Sequence, residues 1–411
     1  MRGAALELGA GNFVLTMFGS HKGVDGAITE DSLLEEQEFI SSIASTGLHR
    51  TNSEIARKNT LKETMGGANL RYTKRSLQIG VAGVYQGYDR AFLKDTNTYN
   101  QFDFRGESTV GLSADYSWVL KNFNFFGEVA NATHSKGWAM VHGVLCSLDK
   151  RVSMSLVYRN YNREYSTFYN AGFAESSRTQ NERGVYAGLK LNLTRSFTVN
   201  SYFDVFRFPW LRYQVDAPSA GHEIMIQPAY NPNRRLEVYV RFRQQLRQKN
   251  SRISDGTITG IEEVMQRNYR LNLSYTISEA FRLKSRIEYV TVNRESIGKE
   301  DGVVISQDLL YRPKSSPVDL ALRYALFDTD SYDTRIYTYE NNALYVFSSP
   351  AYYYQGSRAY ALIRYTFLRK FDLWVRYGVS IFANRNSIGS GAEEIAGTSR
   401  TDLTVQLRVK L

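Results

Sequence analysis

Basic side chains recur on alternate residues through the C-terminal half: Arg235, Arg241, Arg243, Arg270, Arg282, Lys284, Arg286, Arg323, Arg364, Arg376 and Arg408. Glu237, Glu288, Asp319 and Asp372 share those polar positions. Such rows can steer anionic solutes or lock into ion pairs, but they do not by themselves make or break a bond. A reaction needs a nucleophile, a base and an orienting group brought together. The five histidines, His21, His49, His134, His142 and His222, form no H-x-x-x-H pair and fall in no enzyme motif. Ile388-Gly389-Ser390-Gly391 is followed by no Lys-Ser/Thr, so it is no phosphate loop. Asp328-Thr329-Asp330-Ser331-Tyr332-Asp333 has acidic spacing but lacks the later Gly and Glu of an EF-hand. One cysteine, Cys146, excludes an internal disulfide and any multi-cysteine metal site. No catalytic residue, metal or cofactor is expected, and the chain does not read as an enzyme.

The elements that position the charges have period 2. Leu236, Val238, Val240 and Phe242 alternate with polar residues, as do Tyr269, Leu271, Leu273 and Tyr275. Val318 to Leu326 and Phe371 to Ile381 repeat the pattern. Each run is a strand with one apolar and one polar face. Tyr (29) and Phe (22) make up most of a 13% aromatic content, which suits strands. No run of ~18 apolar residues exists, so a membrane helix is excluded, whereas a membrane strand of ~10 alternating residues is not.

The connections alternate in length. Short ones centre near Lys74-Arg75, Lys121-Asn122, Asp149-Lys150, Arg195-Ser196, Pro232-Asn233, Ser278-Glu279, Lys314-Ser315 and Arg369-Lys370. Long ones cover 23–66, 89–103, 162–182, 208–221, 248–265, 329–357 and 385–398. That alternation predicts an all-β, antiparallel, up-and-down transmembrane barrel over 1–411, a single domain with about nineteen strands. Arg or Lys facing lipid at mid-membrane costs ~2–4 kcal/mol, so the basic rows must face the lumen. Trp118, Phe123, Phe197, Tyr230, Tyr275, Phe281, Tyr311, Phe367 and Phe371 crowd the short turns, where an aromatic girdle would sit.

Within 23–66, Asn52 or Ser53 could cap a short helix, acting as a lid or inward plug. Within 329–357, Arg335 to Tyr339 and Leu344 to Phe347 read as a hairpin inside an external loop. Tyr352-Tyr353-Tyr354 and the stretch Tyr165 to Phe173 suit protein or glycan contact. The final strand alternates through Leu403, Val405, Leu407, Val409 and Leu411, like an outer-membrane assembly signal. An odd strand count and no visible signal peptide lead us to expect an N-terminal truncation, with further strand upstream.

Several stretches resemble a family of Bacteroidota outer-membrane proteins described as helix-hairpin-helix domain-containing. They include Gly47-Leu48-His49-Arg50-Thr51, Tyr99-Asn100-Gln101-Phe102-Asp103-Phe104-Arg105-Gly106, Phe208-Pro209-Trp210-Leu211-Arg212-Tyr213 and Tyr324-Ala325-Leu326-Phe327-Asp328. The resemblance spans nearly the whole chain and implies that this is the C-terminal barrel part, in the outer membrane of a Gram-negative bacterium. It settles no activity. It implies helix-hairpin-helix repeats upstream, hence DNA uptake or binding as one reading, with nucleic acid an open partner.

The leading expectation is a channel or an export or uptake component with a polar, Arg-rich lumen, consistent with a net charge of +10. The alternative is a structural or assembly component with a plugged lumen. Expected partners are the lipid bilayer, lipopolysaccharide and the outer-membrane assembly machinery.

Overall fold

Two-residue turns hold neighbouring strands antiparallel. Gly11, Arg75 and Lys121, at φ of 59°, 54° and 53°, each open such a turn with the left-handed geometry that matches strand twist. The computed structural model describes residues 2–31, 37–44, 46–93, 97–253, 260–368 and 370–410. The chain begins with β1 (Gly3–Ala10), β2 (Phe13–Asp31), β3 (Gln37–Ala44), α1 (Asn52–Ala56), β4 (Leu61–Lys74), β5 (Leu77–Phe92), β6 (Gly106–Leu120), β7 (Phe123–Ala132) and β8 (Trp138–Asp149). It continues through β9 (Val152–Tyr161), β10 (Glu182–Asn192), β11 (Phe197–Phe208), β12 (Ser219–Asn233), β13 (Leu236–Asn250), β14 (Ile261–Thr276), β15 (Phe281–Arg294), β16 (Gly298–Tyr311) and β17 (Val318–Thr329). Last come β18 (Ile336–Tyr337), β19 (Ala351–Tyr352), β20 (Gln355–Phe367), β21 (Phe371–Phe382), β22 (Ser387–Ile388), β23 (Ile395–Ala396) and β24 (Ser399–Val409).

One 20-stranded sheet contains all but the four two-residue strands. Its member β3 folds back on the outer half of β2 and meets β5 only at Ile40, so it is an appendage of the wall. The remaining strands pair antiparallel in chain order, an up-and-down barrel wall. Among the described residues β1 pairs only with β2, and β24 only with β21. Both edges run from the long-loop rim to the short-turn rim, so they cannot pair antiparallel with one another. Arg50 reaches Glu393 at 2.8 Å, joining the first and last long connections at the mouth.

The outer face is apolar and uncovered. Val81, Leu156, Val205, Val240, Ile305 and Tyr377 are 45–51% exposed around the wall. A belt this continuous is a surface for lipid rather than water. At the short-turn rim the same face carries aromatic pairs: Phe281–Tyr311 with centroids at 4.6 Å and Phe367–Phe371 at 5.1 Å. Phe197 lies opposite Tyr230, and Trp118 packs on Phe125 at 5.9 Å. Phe123 and Tyr275 are exposed on that rim.

The 23–66 region departs from a plain loop. Pairing continues along β2 for 19 residues, ~60 Å at ~3.3 Å each, about twice the ~30 Å hydrocarbon core. The cap of α1 is Thr51, one residue before the expected Asn52 or Ser53. Thr51 can exchange bonds with Glu54 three residues on: its Oγ1 accepts from Glu54 N at 3.2 Å, and the Glu54 carboxylate accepts from Thr51 N. No residue of α1 is buried. Met1, Arg369 and Leu411 lie outside the described residues.

Candidate functional site: a charged inner wall and its inward loops

Opposite the lipid-facing rows, the inner face of β16 to β21 and β24 is a lattice of charge. Arg323 forks onto Asp308 at 2.5 and 2.7 Å. Arg364 reaches Asp319 at 3.2 Å and Asp372 at 3.1 Å, and Arg408 donates Nε to Asp372 at 3.0 Å. Farther along the wall Arg270 forks onto Glu288 at 2.8 Å, and Arg243 onto Glu223 at 2.7 Å. Arg241 donates to Gln227 at 2.6 Å, and Arg282, exposed at the rim, to Thr276 at 3.1 Å. Lys284 and Arg286 stand across from Ser274 and Asn272, with no carboxylate in ion-pair range among the described residues. Glu237 shares their face and is exposed. Arg235 is a correction. Asn233 pairs with Leu236, so Arg235 lies in the turn between β12 and β13, its N–H donating to Asn233 Oδ1 at 2.8 Å.

The 329–357 connection is the second correction. Its hairpin stem pairs Ile336 with Tyr352 and Tyr337 with Ala351, and Leu344 to Phe347 is not a strand. The tip turns into the lumen instead of standing outside. Arg323 Nη1 donates to Thr338 Oγ1 at 2.9 Å and to Tyr339 O at 2.7 Å. Glu340, fully buried, accepts from Arg358 Nε at 2.7 Å and Tyr352 OH at 2.7 Å, and also from Arg376. Arg358 and Arg376 also hold Asp402 of β24. Below them Ala343 packs with Leu310, Ala321, Tyr360, Leu362 and Trp374, and Gln406 donates to Leu344 O at 3.0 Å. From the level of Thr329 to that of Ala321 is eight strand positions, a descent of roughly 25 Å. A charged tip can descend this far because the wall offers a partner for each polar group, which an apolar lumen would not.

The 162–181 connection also folds inward. Phe168 packs on Tyr88, Phe92 and Phe104 with centroids at 5.1, 4.8 and 4.8 Å. Tyr169 donates its hydroxyl to buried Glu63 at 2.7 Å; burial and that carboxylate push its pKa up to about 12. Its root is tied by Arg159, wholly buried, which meets Glu182 at 2.5 Å and Asp204 at 2.8 Å. The Tyr-rich stretches expected at the surface are thus partly interior: Tyr352 is 1% exposed and Tyr165 6%.

Sequence reasoning missed Glu340, Arg358 and Arg159. Arg358 and Arg159 follow the strand alternation and were visible in principle, but Glu340 sits in an aperiodic segment whose fate depends on partners 18 and 36 residues away. The histidines stay apart: His49 meets Asp25 at 2.7 Å, His21 Thr64 at 2.9 Å and His134 Thr109 at 2.7 Å. His142 stacks on Tyr116, and His222 lies near Phe203. In the acidic run, Asp333 faces Arg252 and Asp330 accepts from Asp301 N, so those carboxylates diverge.

No protein-family model matches the chain, and no curated protein matches it in sequence. Solved structures do. FpvAI in complex with pyocin S2 aligns over 98% of this chain and 65% of its own, with TM-score 0.51 at 12% identity. Pseudomonas aeruginosa FpvA, bound to a heterologous pyoverdine with iron, aligns over 98% and 64%, with TM-score 0.51 at 11% identity. The apoprotein of the FrpB iron transporter from Neisseria meningitidis covers 99% and 71%, with TM-score 0.50 at 12% identity. The chain is a transmembrane β-barrel of the Gram-negative outer-membrane type. It spans 65% and 64% of the first two barrels it matches.

Proposed function

We propose that this outer-membrane barrel passes a solute through a lumen that the inward 329–357 loop closes at rest. The observation that carries the reading is Glu340, a buried carboxylate on a loop tip held, among the described residues, by side chains of the wall and the loop stem. Polar latches of this kind have a second stable arrangement in water, since each group released finds hydration. A loop meant as permanent filling needs no buried charge at a point where it is pinned. Arg241, Arg282, Lys284 and Arg286 have no carboxylate in ion-pair range among the described residues, though Lys284 stands across from Asp308, and would bias passage toward anions.

A second reading, a structural component with a filled lumen, is favoured by the two inward loops together and by the buried Arg159 cluster. Efflux from proteoliposomes carrying the protein of the complete reading frame separates the two. Release of a small anionic dye by a Glu340→Ala variant, with little release by the parent, supports the gate. A folded variant that stays tight would favour the filled barrel.

A further inference from the structure

At the long-loop rim, three connections meet away from the lumen latch: residues 97–105, 162–181 and 209–218. They are braced to one another across long stretches of sequence. Trp210 Nε1 donates to Thr98 O at 3.0 Å. Trp210 N donates to Asn181 Oδ1 at 2.8 Å, while Asn181 Nδ2 donates to Trp210 O at 2.9 Å. Gln180 ties Phe102 O and Arg163 O, at 3.2 and 2.7 Å. The braces enclose a cavity of about 340 Å³, within the range of small-ligand sites.

Its charge is unbalanced. Arg178 is served by Asp103, with contacts of 3.0 and 2.9 Å. Arg163 is not: its guanidinium lies between Phe102, at 4.8 Å, and Trp210, at 4.9 Å, with no carboxylate partner among the described residues. Arg212 lies over Phe208 at 3.5 Å and donates Nη2 to Ser219 Oγ at 3.3 Å. Its Nε is buried with no acceptor among the described residues, and burial pushes its pKa down to about 10. Aromatic faces hold a guanidinium weakly and supply no acceptor for its N–H groups. The Arg163 guanidinium, open to solvent, and the Arg212 Nε, buried with no acceptor among the described residues, therefore leave room for a ligand anion in this braced cavity.

The wall beside them is aromatic and open. Tyr213 is 71% exposed, and its ring stands 5.9 Å from that of Tyr99. Exposed rings with hydroxyl tips, next to the open Arg163 guanidinium and the unbonded Arg212 Nε, suit a hydroxylated ring that carries a carboxylate. We propose that this cavity binds an acidic saccharide, with its carboxylate at Arg163 and Arg212 and its sugar ring against Tyr213. The proposal rests on the long loops lying outside the cell, as the solute-passage reading also requires, but not on any conductance.

The test is calorimetric titration of the detergent-solubilised protein with digalacturonate, alongside neutral galactobiose, inorganic phosphate and benzoate. Digalacturonate is expected to bind at least about tenfold more tightly than each of the three, the worth of one charge-assisted contact. Arg163→Gln and Arg212→Gln are each expected to weaken it about tenfold or more, with Arg163→Lys intermediate, because lysine cannot stack and fork together. Lipopolysaccharide added as competitor tells the two sources apart: displacement assigns the site to the cell's own surface sugars, and no displacement to a free saccharide. Either supports an acidic-saccharide site. Equal binding of galactobiose or benzoate overturns it, as does unchanged affinity in both glutamine variants with folding verified by heat-dependent gel migration. Absence of binding at about 10 mM, where a site worth ~3 kcal/mol would register, also overturns it.

Discussion

Replacing Glu340 with glutamine should release the inward 329–357 loop from the wall. The carboxylate is fully buried and accepts from Arg358 at 2.7 and 3.0 Å, from Tyr352 at 2.7 Å and from Arg376. Glutamine keeps the shape, removes the charge and turns an N–H₂ group toward a guanidinium. Removing one partner of a buried ion pair costs ~3–5 kcal/mol. Asp402, about a third exposed, still faces both arginines, which places this case near the low end, about 3 kcal/mol. At ~1.4 kcal/mol per tenfold, the ratio of released to docked loop should rise roughly a hundredfold. Planar-bilayer recording of the protein from its complete reading frame reads that ratio as the fraction of time a large conductance is open. Heat-dependent gel migration shows that the variant barrel is folded. A folded Glu340→Gln protein whose open fraction stays within about twofold of the parent, less than ~0.5 kcal/mol, would refute the latch.

Three further outcomes are expected. Lys284→Glu with Arg286→Glu should move the reversal potential in a salt gradient from anion toward cation preference; an unmoved potential would show that these side chains do not line the path. Arg159→Gln should strand the Glu182 and Asp204 carboxylates, costing ~3–5 kcal/mol, and should lower the temperature at which the folded gel band is lost. An unchanged transition would mean that the cluster adds no net stability. Burial holds His134 below its ordinary pKa, so its folded form resists protonation. The stability this gives the mouth is complete above the unfolded value, ~6.5, and declines as pH falls below it. Amide exchange around Phe104, corrected for intrinsic rate, should therefore be faster at pH 5 than at pH 7. His134→Asn should flatten that difference, and an equal pH effect in the variant would assign it elsewhere.

The wall was legible in the sequence because its code is local. The alternation from Val318 to Leu326 is the outer face of β17, and Phe371 to Ile381 is that of β21. Charge at mid-membrane can face only one way, so the inward rows were legible too. Arg235 was misplaced because alternation alone does not mark where a strand yields to its turn; the pairing of Asn233 with Leu236 does. The inward loops were not legible. Nothing within residues 338–350 distinguishes a solvated tip from a docked one; what decides is Arg323, Arg358 and Arg376 on three different strands. Tyr352 read as a surface aromatic for the same reason: its burial comes from Phe327 and Glu340, contacts that no local pattern encodes.

Single-channel recording of the complete protein with residues 338–350 replaced by a short Gly-Ser link tests the gated lumen most directly. The shortened protein should show a large, stable conductance where the parent is closed. Equal conductance in both, or silence in both with the barrels folded, would contradict a lumen closed by this loop.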